Sequence, residues 1–252
     1  MMRLHRMNYL RPIAAFALFA TSMLVAAPTR AALIDLTPSN GVNSSSSVLL
    51  SDLISGAVTG VTVGDKIFTG FNYSFLGDMP APVNVQVLGF KDPSGNWGVS
   101  FHGAFVDMPG GASSDAAIRF NVDIDPTFLA RGFRISDAHL FLNGSGVGTD
   151  SLFTVDESFL ENSKTLHAFV STLGAGGTQM SDATVFNPVV PTLHVTKDIL
   201  AIAGPTAFLP ARATVIDQSF SQSNVIPEPT TVVMSLLGLV ASVFVSRKRS
   251  RS

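Results

Sequence analysis

The sequence predicts an all-β, antiparallel β-sandwich-like ectodomain, flanked by an N-terminal signal peptide and a C-terminal single transmembrane helix. Three observations predict it. Short segments alternate apolar and polar residues between frequent turn signals. No long stretch keeps a 3.6-residue period. Two further apolar runs lie at the ends of the 252-residue chain.

The first 31 residues read as a secretory signal. Arg3, Arg6 and Arg11 form a basic start, Ile13 to Ala27 an apolar run, and Thr29-Arg30-Ala31 a short stretch before a cut between Ala31 and Ala32. The apolar core, about 15 residues, is shorter than the ~20 of a membrane span. A β-rich extracytoplasmic domain is expected over 32–218. Within it, Ser44 to Ser47 reads as a flexible loop and Val48 to Ile54 as a helical turn. Lys66 to Phe75, rich in aromatics, reads as a strand or a pair. Val83 to Val87 alternates, and Asp92-Pro93-Ser94-Gly95-Asn96 is turn chemistry. Met108-Pro109-Gly110-Gly111 is a second turn. Ile118 to Ile124 is the clearest strand, with apolar side chains at every second position. Pro126 to Ala130 suits a short helical turn. His139 to Leu142 followed by Asn143-Gly144 predicts a type I′ hairpin. Leu166 to Val170 and Leu193 to Lys197 alternate again. Ser219 to Ile226 reads as a linker.

Composition narrows the function classes. Only 13% of residues are charged and there is no cysteine, so neither a disulfide nor a thiolate nucleophile is available. The overall charge of −2 hides an acidic middle. Eight of the 16 Lys and Arg residues lie in the two ends, against one of the 18 acids, Glu228, so the stretch between carries −9. That charge favours solubility and disfavours nucleic acid as a partner.

The last residues, 227–252, combine three elements. Pro227-Glu228-Pro229 is held extended by its prolines. Thr230 to Val245, about 16 residues and about 24 Å as a helix, could span a thinned bilayer. Arg247, Lys248, Arg249 and Arg251 then form a basic cluster that stays cytoplasmic. Together they resemble the PEP-CTERM sorting signal of bacteria. The resemblance implies processing by exosortase, a membrane-embedded transpeptidase-like enzyme, after export by signal peptidase and the general secretion machinery. The chain would be anchored in the inner membrane through its C-terminal helix, then sorted to the cell surface or an exopolysaccharide matrix. VGDKIFTGFNYSF (63–75), ISDAHL (135–140), VTKDI (195–199) and VIDQSFSQ (215–222) are similar to phrases of proteins that carry this tail. That family has no agreed activity, so no catalytic residue is implied.

Candidate chemistry in the body is sparse. His102, His139, His167 and His194 show no ligand-like spacing for zinc. Asp123 and Asp125, before Pro126, are weak calcium candidates without a D-x-D-x-D-G loop. Asp156-Glu157 is a second acidic pair. Gly144 to Gly148 and Gly174 to Gly177 lack a Walker lysine and read as loops. No G-x-S-x-G elbow is present, and no cofactor is expected. The sequence therefore points to a non-catalytic surface or matrix protein. A carbohydrate- or calcium-binding module and an exported hydrolase are the alternatives.

Overall fold

The structure is a computed structural model in which residues 32–225 are described; both of the expected terminal signals, including Ala31, Pro227 to Pro229 and Arg247 to Arg251, lie outside them. The chain forms β1 (Leu33–Asp35), β2 (Asn43–Leu49), α1 (Leu50–Ser55), β3 (Gly60–Val63), β4 (Lys66–Leu76), β5 (Gln86–Lys91), β6 (Trp97–Asp107) and β7 (Ser114–Ile124). It continues through α2 (Pro126–Ala130), β8 (Phe133–Asn143), β9 (Leu152–Phe159), β10 (Thr165–Ser171), β11 (Gly177–Gln179), β12 (Ser181–Val190), β13 (Thr192–Ile202) and β14 (Ala211–Asn224).

These strands make two sheets. One has eight strands in the order β1-β3-β4-β7-β13-β9-β10-β11, the other six in the order β12-β8-β14-β6-β5-β2. All pairs are antiparallel except β1 with β3. Period-two alternation builds the core. On β7, Ala116, Ile118, Phe120, Val122 and Ile124 are buried while Arg119 is exposed. On β13 the inward residues are Leu193, Val195, Lys197, Ile199 and Ala201. Aromatic rings from the two sheets meet in the middle. Phe120 lies 5.7 Å from Phe101, Phe101 6.5 Å from Phe71, and Phe68 6.2 Å from Phe220, centroid to centroid. Such pairs add about 0.5–1.5 kcal/mol each beyond their buried area. The molecule is thus an all-β protein of two facing sheets. Among the described residues, no helix is long and apolar enough to cross a membrane.

Several local expectations hold. The 126–130 turn is α2, with Pro126 at its first position and the Asp125 side chain accepting from the Thr127 N–H at 2.9 Å. The 92–96 turn closes the β5–β6 hairpin, with Asp92 Oδ1 accepting from Asn96 N. The 66–75 segment is a single strand, shifted in register around Gly70.

Four expectations are corrected. Ser219 to Ile226 is no linker up to Asn224: β14 runs through it, paired with β8 as far as Asn224 and with β6 as far as Phe220. Phe220 fills the core and Ser219 donates to buried Asp92, so a serine-rich run is locked as an inner strand. The folded body therefore extends past 218. Ser44 to Ser47 lies in β2, where Ser44 Oγ accepts from Gly89 N and donates to Ser46 O across a bulge. The 83–87 stretch begins as one 3₁₀ turn at Pro82–Asn84, leaving Val83 exposed; the strand starts at Gln86 because Pro82 favours the turn. Asn143-Gly144 is no hairpin. After it the chain crosses to the other sheet, where β9 lies between β13 and β10, and the Asn143 side chain is held by Asp217 of β14.

Candidate functional site

A hollow of about 510 Å³ opens at one end of the sandwich, within the ~300–1,000 Å³ of small-molecule sites. The β3–β4 turn gives it Gly64 and Asp65, and β4 gives Lys66. The β5–β6 turn contributes Asn96 and the start of β6 Trp97. Phe128 of α2 and Gln222 of β14 complete the wall. Lys66 Nζ donates to Asp65 Oδ1 at 2.8 Å, and both side chains are almost fully buried. Burial pushes the Lys66 ammonium below its usual range, opposed by the Asp65 charge and, more weakly, by Asp137. Gln222 Oε1 is buried without a partner.

Trp97 stands where only glycine fits beside it. Gly64 has φ of +60°, and a Cβ there would lie 2.4 Å from the indole. Lys91 Nζ sits 4.7 Å from the ring centroid. Phe128 packs edge-on against Phe133 at 5.9 Å, with the Arg131 guanidinium over both rings. The hollow therefore has aromatic walls, one compensated ion pair and a carboxamide whose oxygen lacks a partner. That arrangement can hold an uncharged, hydroxyl-bearing molecule.

The outward face of the six-stranded sheet carries a polar network. Asp217 accepts from Ser100 Oγ and from Asn143 Nδ2. Burial raises its pKa despite those bonds. Burial also lowers that of neighbouring His102, opposed by Asp217, and the buried His102 Nε2 has no partner. Beside them His139 and Asp137 pair at 2.9 Å. Asp92 accepts from Ser219 and Asn96.

Between the sheets lies a third polar group. Lys197 Nζ of β13 donates to Glu157 of β9 and, at 2.5 Å, to Gln218 Oε1 of β14. Lys197 and Gln218 are fully buried and Glu157 is 1% exposed.

The calcium candidates do not converge on one another. Asp123 Oδ1 accepts from Thr192 Oγ1 at 2.6 Å, while Asp125 caps α2 and its N–H donates to Asp65 O. Asp156 and Glu157 point to opposite faces, one exposed and one buried. Among the described residues, no group of three His, Asp or Glu side chains is placed to hold a metal ion. His167 and His194 are exposed and pair with Asp156 and Glu161. Sequence reasoning missed the hollow and the interior group. Lys66 and Lys197 carried the one available signal, since each continues the apolar side of an alternating strand.

No family model and no curated protein matches this chain. Among solved structures, a family 11 carbohydrate-binding module from Clostridium thermocellum, in complex with a β-1,3-1,4-mixed-linked tetrasaccharide, aligns over 62% of this chain and 85% of its own. The identity is 8% and the TM-score 0.14, too slight a likeness to bear on fold or function.

Proposed function

We propose that this protein is an exported bacterial surface or extracellular-matrix protein that acts by binding and scaffolding, not by catalysis. On this reading the signal over 1–31 and the PEP-CTERM-like tail over 227–252 deliver it. Signal peptidase cuts before Ala32, the C-terminal helix holds it in the inner membrane, and exosortase processes the tail. The body ends in the matrix beside exopolysaccharide, with no cofactor and no nucleic-acid partner.

The observation that supports a binding role is the lack, among the described residues, of a carboxylate pair lining the end hollow. Asp92, Asp107 and Asp217 each accept hydrogen bonds from within the fold. Among the described residues the hollow contains one carboxylate, Asp65, and it is tied to Lys66. Hydrolysis of a glycosidic bond would need two facing carboxyl groups there. Removing the exosortase from cells that make this protein tests the sorting step. The body should then be recovered only with detergent. Release at the normal level without the enzyme would sink the reading.

The end hollow favours a second reading, a carbohydrate-binding module. Sugar hydroxyls both donate and accept, which suits the half-buried Asn96 and Gln222 carboxamides beside the Trp97 and Phe128 rings, and the neutral Lys66–Asp65 pair behind them leaves no net charge to attract an ionic ligand. Trp97 is the sole tryptophan in the chain, so its emission reports on the site directly. Titration with soluble exopolysaccharide fragments should shift that emission, and Gln222→Ala should weaken the response. No shift, with no retention on immobilised glycan, removes this reading.

A further inference from the structure

We propose that Lys197, Gln218 and Glu157 are a self-processing site, in which Lys197 Nζ attacks the Gln218 carboxamide and an isopeptide bond joins the two sheets. The register places all three at the centre of the sandwich. Lys197 is level with Ile118 on β7 and Glu157 on β9, and Glu157 with Leu166 on β10. Facing them, Gln218 is level with Val99 on β6 and Leu140 on β8. Ile118, Val99 and Leu140 are fully buried and Leu166 nearly so, so water is kept from the group.

The contacts are those that the reaction needs. Lys197 Nζ donates to the Gln218 carbonyl oxygen at 2.5 Å, one bond from the electrophilic Cδ. Glu157 touches the same Nζ and serves as proton carrier. Burial, opposed by Glu157, lowers the lysine pKa towards a neutral, nucleophilic amine. Burial, opposed by Lys197, raises the Glu157 pKa towards the acid form. The Nζ–Cδ bond forms and the Cδ–Nε2 bond breaks. Glu157 takes one proton from Nζ, gives one to the departing Nε2 and ends as it began. Ammonia leaves, and no oxidant, metal or cofactor is consumed.

A plain ion pair accounts for the group less well. Glu157 Oε1 and Gln218 Nε2 are both buried without a hydrogen bond, and a buried pair is favourable only when such groups are satisfied. The reaction expels Nε2 as ammonia. The Glu157 acid can then accept from the new amide N–H and donate to its carbonyl, leaving neither atom alone. Glu157 is not itself the electrophile, because the group would then lack a third acid to move the proton. A link from β13 to β14 would also tie the sheets together in a chain that has no cysteine.

Tryptic digestion of the purified full chain with mass spectrometry tests this. The expected product is one branched peptide joining the segments that contain Lys197 and Gln218, lighter by one ammonia, with no cleavage after Lys197. Glu157→Gln should give the two segments unjoined. Cleavage after Lys197 with both segments at full mass in the native chain overturns the proposal, as does loss of water in place of ammonia. An undiminished link in Glu157→Gln overturns the role of Glu157. The native digest decides the link even if the variant fails to fold.

Discussion

Lys66 and Asp65 sit together at a depth where neither charge would be stable alone. Asp65→Asn leaves a buried cation unpaired and should cost about 3–5 kcal/mol. Urea unfolding would show it as a lower midpoint. Asp65→Asn combined with Lys66→Met should cost far less; equal losses would mean that the ion pair is not what the site protects. His139 and Asp137 give a pH signature. The His139 pKa is raised, first by its hydrogen bond to Asp137, with burial opposing. The Asp137 pKa is lowered; burial opposes this, but bonds from His139 and Ser221 outweigh it. The histidine's contribution is complete below its unfolded value of about 6.5 and is lost as pH rises through the raised folded value. The aspartate's is present above its unfolded value of about 3.9 and is lost as pH falls through the lowered one. Thermal melts of His139→Gln should therefore lose less stability than the native protein as pH rises past neutrality. An identical slope in both would exclude this pair as the source.

Among the elements, β14 matters most. It is the inner strand between β8 and β6, and it brings Gln218, Phe220 and Gln222 to the core and the end hollow. Ending the body after Gln218 removes Phe220 and six residues of ladder, and should leave a chain without a cooperative melt. A sharp transition in that truncation would restore the linker expected from its serines. Ser219–Asn224 illustrates what strand propensity hides. Serine and asparagine look like loop, yet one phenylalanine in the core and a ladder with β8 hold a strand. Ser44–Ser47 misleads by another route: it lies in an edge strand paired with β5 alone, where Ser44 Oγ accepts from Gly89 N across the bulge. By contrast α2 was legible to the residue, because an Asp cap followed by proline acts through local geometry alone. Asp125→Ala should cost about 1 kcal/mol, read from the same urea midpoints. The strands of 118–124, 166–170 and 193–197 were legible through their alternation. Their pairing was not, since neighbours in a sheet are chosen by distant segments.

For the whole molecule, two facing sheets followed from many short alternating segments, but the hollow and the interior group did not. Each gathers residues from strands far apart in sequence: Lys66 and Gln222 line one hollow, and Lys197 meets Glu157 and Gln218. No spacing rule reaches that far. Conversely, the two proposed terminal signals rest on sequence alone and lie outside the described residues, so delivery and body rest on separate observations. Intact mass of the protein recovered from the cell surface or medium tests the central claim, that an exported body is freed from both ends. A chain beginning at Ala32 and ending close to Pro227 is the predicted result. A chain that still carries Thr230 to Ser252 would contradict it, and would make this a membrane-retained protein whose partners lie in the bilayer.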